Sequence, residues 1–193
     1  MKCAAVIIAG GESRRFGSPK ALIRINGVPI ILRLAAEAAT AGIDDIRISA
    51  NDPDAFATFG LPVIGDIREG CGPLGGIHSA IVHTDADEIL LIPCDMPGIS
   101  SNELNSLLAS ANDNPAAHVV FAESPSGAHP LCAVVRRSIL RHIESALDEG
   151  LLSVNELFGR VDYMKVIFED EEPFLNLNTP EDLARWEVRR DAP

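Results

Sequence analysis

Two arginines and a lysine follow a glycine pair close to the start of this acidic chain. Gly10 and Gly11 end an apolar run in the segment AGGESRRFGSPK, and Arg14, Arg15 and Lys20 come next. Glycine lets the backbone turn tightly and approach a ligand, and the N–H groups freed by such a turn can bind an anion. The pattern indicates a phosphate-binding turn, and the alternative is a glycine turn with ordinary surface cations. It matches neither a Walker A loop nor the GxGxxG dinucleotide fingerprint.

Three further polar residues follow apolar runs and are candidate ligands. Asn51 follows DIRISA, Asp66 follows LPVIG, and Asp95 follows EILLIPC. A carboxylate beside phosphates suits Mg²⁺, which takes one or two protein carboxylates and completes its shell with phosphate oxygens and water. We therefore expect Asp95 to bind Mg²⁺, and the alternative is that it caps the turn that follows.

A second glycine-rich segment, GCGPLGGI, begins a predicted helix. Gly75 and Gly76 lie inside that helix, where each costs roughly 1 kcal/mol relative to alanine, so a specific contact should require them. A phosphate at the helix N-terminus is one such contact. Close packing of the helix on the sheet is the other.

Three polar residues in the second half of the chain are further candidates for ligand contact. Asn176 and Asn178 alternate in FLNLNTPEDL, so in an extended segment they face the same way. Asn178 or Thr179 is alternatively the N-cap of the last helix. His129 precedes Pro130 and is either a ligand contact or a structural histidine.

The elements that position these residues alternate between apolar and amphipathic. We predict strands at 3–9, 45–50, 61–65, 88–94, 117–123, 129–136 and 163–169, and helices at 29–41, 73–84, 100–111, 137–150 and 179–190. This order predicts an α/β fold with a mostly parallel sheet and helices on both faces, as one domain over residues 1–193. Strands without a helix between them near 117–136 allow an antiparallel strand. Since ligands bind at the carboxyl ends of parallel strands, the polar residues there should share a crevice.

Bulk composition excludes several classes of function. The 193 residues are 47% hydrophobic with a formal net charge of −12, which fits a globular chain that repels nucleic acid. No stretch approaches the ~18 apolar residues of a membrane span, and the first strand lacks the features of a signal peptide. The four cysteines have no CxxC spacing, so we expect reduced packing residues in a cytoplasmic protein.

Taken together, the motifs resemble the molybdenum cofactor guanylyltransferases, a family of nucleotidyltransferases. The segments that carry the resemblance are, in order, IAGGESRRFGSPKAL, DIREGCGPLGGI, PCDMP, HPL and NLNTPEDLARW. The resemblance implies a Rossmann-like three-layer nucleotidyltransferase fold. It also implies transfer of GMP from GTP to molybdopterin, with release of pyrophosphate and formation of the guanine dinucleotide cofactor. Phe16 and Pro19 depart from the family pattern, in which Met and Asp are usual.

The resemblance also implies roles for individual residues. The nucleotide-binding set that it implies is Ile8, Ala9, Gly10, Gly11, Lys20, Asn51, Asp66 and Asp95. The catalytic set is Lys20, Arg15 and Asp95, with Mg²⁺ on Asp95. The set on the side of the pterin substrate is His129, Asn176 and Asn178.

The substrates and catalysis itself admit more than one hypothesis. A related branch that transfers CMP from CTP has LAAG where this chain has IAGG, so Gly10 favours GTP. Transfer to a different small-molecule acceptor is a second hypothesis, and a non-catalytic nucleotide-binding regulator is a third. The partners implied are proteins that deliver molybdopterin, and recipient molybdoenzymes or their chaperones; neither nucleic acid nor a membrane is expected.

Overall fold

The computed structural model describes residues 1–10 and 20–190, and within them nine strands and six α-helices. The strands are β1 (Cys3–Ile8), β2 (Arg24–Ile25), β3 (Val28–Pro29), β4 (Asp45–Ser49), β5 (Val63–Ile64), β6 (Glu88–Pro93), β7 (Val119–Ser124), β8 (Gly127–Arg136) and β9 (Tyr163–Ile167). The α-helices are α1 (Ile30–Thr40), α2 (Gly72–His83), α3 (Ser101–Asp113), α4 (Leu140–Asp148), α5 (Val154–Phe158) and α6 (Pro180–Arg190). Among the predicted features, Gly11, Arg14, Arg15, Phe16 and Pro19 lie outside the described residues.

Seven of these strands form one sheet, in the order β5-β4-β1-β6-β8-β7-β9. β1 pairs in parallel with β4 and β6, and β4 pairs in parallel with β5. β8 is antiparallel to both β6 and β7, while β9 is parallel to β7. The predicted mostly parallel sheet is confirmed, and the region expected to add an antiparallel strand supplies β8.

Two hydrophobic cores lie on opposite faces of this sheet. Ala5 and Ile7 of β1 belong to the core under α1 and α3, whereas Val6 and Ile8 belong to the core under α2 and α4. Successive side chains of a strand point to opposite faces, so a strand covered on both sides is apolar throughout. The apolar run of β1 thus follows from its place in the middle of three layers. None of the described helices is long and apolar enough to cross a bilayer.

Two short elements were absent from the sequence prediction. β2 and β3 form a hairpin whose turn residues, Asn26 and Gly27, have φ values of 50° and 79°. Pro29 ends β3, so α1 begins one residue later than predicted and Pro29 is not in its first turn. α5 follows α4, with Ser153 as its N-cap.

Candidate active site

A cavity of about 620 Å³ opens where β1, β4 and β5 end. The backbone after β1 contributes Ile8, Ala9 and Gly10, and Asn51 and Asp66 contribute polar side chains. Cavities of a few hundred Å³ are the usual size for small-molecule ligands. The expected convergence of the residues that follow these three strands is therefore found, and it produces space for a ligand.

Asn51 and Asp66 hold each other in place through two hydrogen bonds. The Asn51 Nδ2 donates to Asp66 Oδ2 at 2.9 Å, and the backbone N–H of Asp66 donates to Asn51 Oδ1 at 2.7 Å. Both bonds together fix the orientation of the amide and use one oxygen of the carboxylate. Asp66 can therefore offer its other oxygen to a ligand without a change in the pair.

The glycines of α2 permit a close approach between that helix and the sheet. A Cβ atom at Gly76 would lie 3.0 Å from Ser49 Oγ, and one at Gly75 would lie 3.0 Å from the Cys71 Cβ. Real Cβ atoms rarely make contacts this short, so neighbouring atoms would have to move. Because Gly76 also lines the cavity, close packing and the space for a ligand depend on the same residue.

A second group of polar residues lies on the other side of the end of β1. The backbone N–H of Ala9 donates to Ser49 O at 2.9 Å, and that of Cys94 donates to Ile8 O at 3.2 Å. The ends of β4 and β6 therefore flank the end of β1. Asp95, the residue after Cys94, lies beside Lys20, whose positive charge acts on its carboxyl group.

Lys20 is linked to the C-terminal part of the chain. Its Nζ donates a hydrogen bond of 2.6 Å to Asn178 Oδ1. The backbone N–H groups of Asn178 and Thr179 donate to Asp182 Oδ2 at 3.0 and 2.9 Å, which caps α6. The backbone N–H of Leu177 donates to Asp95 O at 2.7 Å, so the segment before α6 is fixed beside Asp95.

Burial controls the ionisation of the groups around Asp95. Burial raises the pKa of Asp95 from its ordinary value, and the Lys20 charge partly offsets this. Burial also raises the pKa of the Cys94 thiol to about 12, and the neighbouring Asp95 charge adds to the effect. Cys94 is therefore a neutral packing residue, as predicted. A nearby cation stabilises the ionised carboxylate of Asp95.

The side chains around Asp95 suit a metal ion that binds together with the phosphates of a ligand. Within residues 1–10 and 20–190 no group of three or more histidine, cysteine or acidic side chains is arranged to hold a metal. Mg²⁺ does not need one, because it commonly binds one or two carboxylates together with phosphates and water. The half-buried Asp95, whose burial disfavours an uncompensated charge, fits that role.

His129 lies in β8 beside a bulge, and the charge of Asp95 acts on its ring. Phe121 pairs with Ala133 while its neighbour Ala122 pairs with His129, so residues 130–132 bulge out of the ladder. Bulges redirect side chains and are common beside functional sites. Burial lowers the pKa of His129, against the smaller effects of the Asp95 and Glu171 charges.

The structure thus divides the predicted residues into groups. One group lines the cavity: Ile8, Ala9, Gly10, Asn51 and Asp66. A second group surrounds Asp95: Lys20, His129 and Asn178. Asn176 lines a separate cavity of about 150 Å³ with Trp186. Ser49 and Ser124 contact the site as well, and no motif in the sequence pointed to them.

Known proteins resemble this chain over nearly its whole length. A molybdenum cofactor guanylyltransferase of Cereibacter sphaeroides is 34% identical over 100% of both chains. One of Shewanella piezotolerans is 31% identical over 92% of this chain and 88% of that protein. The crystal structure of the molybdopterin-guanine dinucleotide biosynthesis protein A of Archaeoglobus fulgidus superposes with a TM-score of 0.81, at 20% identity and over 100% of both chains.

That structural similarity shows the fold, and it confirms the three-layer nucleotidyltransferase architecture. The family model of the MobA-like NTP transferase domain matches residues 5–161, which include the cavity, Lys20, Asp95 and His129. The chain belongs to the MobA-like NTP transferase family.

Proposed function

We propose that this chain, acting as a single domain, transfers GMP from GTP to molybdopterin and releases pyrophosphate. The observation that carries the proposal is the placement of two groups on opposite sides of the end of β1. A ligand-sized cavity with the Asn51–Asp66 pair lies on one side, and Lys20, Asp95 and Asn178 lie on the other. A nucleoside in the cavity would direct its phosphates past Ala9 and Gly10 toward Lys20. The guanylyltransferase relatives support this choice of substrates.

The reaction joins an oxygen of the acceptor phosphate to the α-phosphorus of GTP. The bond between the α-phosphorus and the bridging oxygen breaks, and the electron pair leaves with pyrophosphate. Negative charge grows on the α-phosphate oxygens and on the leaving group, so positioning and electrostatic stabilisation provide the catalysis.

Each residue of the site has a role in this scheme. Lys20, held by Asn178, places positive charge beside the phosphates. Arg15, with Arg14, is proposed to add charge to the same loop. Asp95 would hold Mg²⁺, which when bound neutralises phosphate charge and orients the phosphates. Asn51 and Asp66 would contact the nucleoside, and His129 and Asn176 the acceptor.

The choice of base rests on Gly10. A CTP-dependent reaction on the same acceptor is the alternative, and it leaves the roles of Lys20 and Asp95 unchanged. The proposed setting is the cytoplasm, with molybdopterin-delivering proteins, and with recipient molybdoenzymes or their chaperones, as partners.

Calorimetric titration tests the proposal directly. GTP, CTP and ATP are each titrated with Mg²⁺ into the wild type and into Asp95→Ala. We expect a preference for GTP, with the Mg²⁺ dependence lost in the variant, followed by GMP transfer when molybdopterin is added. A preference for CTP would assign the chain to the cytidylyl branch. Binding of GTP without transfer to molybdopterin would favour a regulator.

A further inference from the structure

The imidazole of His129 is held on one edge and on one face. Its Nε2 lies 2.8 Å from Ser124 Oγ. Its ring stacks on Phe174, with centroids 4.9 Å apart and an angle of 12° between the planes. His129 is 7% exposed and Ser124 is 6% exposed. Such a ring has a fixed orientation, and its two nitrogens have different surroundings.

The second ring nitrogen, Nδ1, makes no hydrogen bond to any residue that the structure describes. The Asp95 and Glu171 carboxylates both act on the ring electrostatically. A neutral imidazole carries a single proton, on one nitrogen or the other.

Ser124 can place that proton. Its hydroxyl oxygen lies 2.9 Å from Ser126 Oγ and accepts a long hydrogen bond of 3.4 Å from the Ser126 backbone N–H. Ser126 can therefore supply donors to the oxygen, which leaves the Ser124 O–H free to donate to His129 Nε2. An Nε2 that accepts a hydrogen bond carries no proton, so the proton of the neutral ring is on Nδ1.

We propose that Ser124 is a positioning residue that holds His129 as the Nδ1–H tautomer, so that Nδ1–H donates to the phosphate of the acceptor substrate. This inference rests on the proposed function and adds to it the group that orients the acceptor. His129 lies between the β7–β8 turn and the bulge at 130–132, and the Ser124 hydrogen bond decides which nitrogen carries the donor. An anionic phosphate needs a donor at this place, because the neighbouring Asp95 and Glu171 offer only acceptors.

The first test needs no substrate. In protein labelled with ¹⁵N-histidine, the His129 signals are assigned by their loss in His129→Gln. We expect Nδ1 to show the shift of a protonated nitrogen and Nε2 that of an unprotonated one in the wild type. Ser124→Thr, which keeps the hydroxyl, and Ser126→Ala, which keeps Ser124, should preserve this tautomer, and Ser124→Ala should lose it. Protonated Nε2 in the wild type overturns the inference.

The second test separates acceptor binding from nucleotide binding. Loss of one hydrogen bond typically costs about 1 kcal/mol, so Ser124→Ala should raise the KM for molybdopterin about fivefold. The KM for GTP should stay unchanged, and Ser124→Thr should restore the KM for molybdopterin. Equal changes in both KM values, or none, overturn the inference. A wild type that transfers no GMP overturns the proposed function itself, whereas transfer with the opposite tautomer overturns only the role of Ser124.

Discussion

Lys20 and Asn178 are 158 residues apart in the sequence, and a hydrogen bond of 2.6 Å joins Nζ of the first to Oδ1 of the second. The contact connects the end of the glycine-rich N-terminal segment to the start of the last helix. Asn178 is itself fixed through its backbone N–H to Asp182. A cation held in this way is directed by the fold, and it does not depend on a ligand to be brought to the site.

Replacing Lys20 by alanine should therefore impair turnover far more than folding. We expect GMP transfer to fall about 100-fold or more, since the lysine would stabilise charge that develops in the transition state. The variant should still fold, because the bond to Asn178 lies at the surface. Lys165→Ala is the matched control, since Lys165 forms an exposed ion pair with Glu123 away from the site. Wild-type turnover in Lys20→Ala would contradict the assigned role.

Asp95→Asn should increase the stability of the metal-free protein while abolishing its activity. Because the pKa of Asp95 is raised on folding, the folded state binds this proton more tightly than the unfolded chain does. The resulting stabilisation is present below the unfolded pKa of aspartate and is lost as the pH rises through the raised value. An asparagine cannot ionise, so the variant should melt at a higher temperature than the wild type at pH 8.

Melting curves in EDTA from pH 4 to pH 8 measure the difference in melting temperature between Asp95→Asn and the wild type. This difference should become smaller as the pH falls. Asp85→Asn, which removes an exposed carboxylate, serves as the control for GMP transfer and should retain it. A variant that is less stable than the wild type at pH 8 would show that the Asp95 charge is already compensated without metal.

Gly76→Ala should destabilise the protein and weaken nucleotide binding together. The new Cβ would lie 3.0 Å from Ser49 Oγ, and overpacking of this kind costs about 1–3 kcal/mol. The double variant with Ser49→Ala removes the clashing oxygen. It should recover much of the free energy of unfolding that Gly76→Ala loses, as measured by urea denaturation. Gly159→Ala, whose Cβ would meet its nearest atoms at 3.5 Å, is the control that should have little effect. Equal effects of both alanines would rule out the packing argument.

Asn51→Ala should weaken GTP binding with little effect on the acceptor. The substitution removes both hydrogen bonds that fix Asp66, including the acceptor for the Asp66 backbone N–H. We expect the dissociation constant for GTP to rise about tenfold in calorimetry, as for about 1.4 kcal/mol of lost interaction. Asn105→Ala on the exposed surface of α3 should bind GTP like the wild type. An equal rise in the KM for molybdopterin would argue against a nucleoside-specific role.

The framework of the fold was predictable because burial leaves a clear pattern. β1 is apolar throughout and β6 is apolar after Glu88, since both faces of the sheet are covered. A capping box of Ser100 and Glu103 begins the predicted helix α3. The hairpin of β2 and β3 was missed although Asn26-Gly27 is a typical hairpin turn. Its strands of two residues each are too short for an alternating pattern.

The site was predictable where it depends on parallel strands ending at one edge. That rule placed Asn51 and Asp66 in one crevice before their hydrogen bonds were known. It gave no information on the contact between Ser124 and His129, which lies across the β7–β8 hairpin, where Ala122 pairs with His129 and Ser124 with Gly127. The register of this hairpin is set by its turn at residues 125 and 126, and the apolar patterns of the two strands do not encode it.

The hydrogen bonds from residues 177 and 178 to the Asp95 backbone and to Lys20 have a consequence for biosynthesis. All seven strands of the sheet are translated before this segment. A nascent chain that has reached residue 170 therefore contains the whole sheet but lacks Asn178, which accepts a hydrogen bond from Lys20. The order of synthesis delays completion of the site, and a chain stalled on the ribosome would not yet hold its lysine in position for nucleotide phosphates.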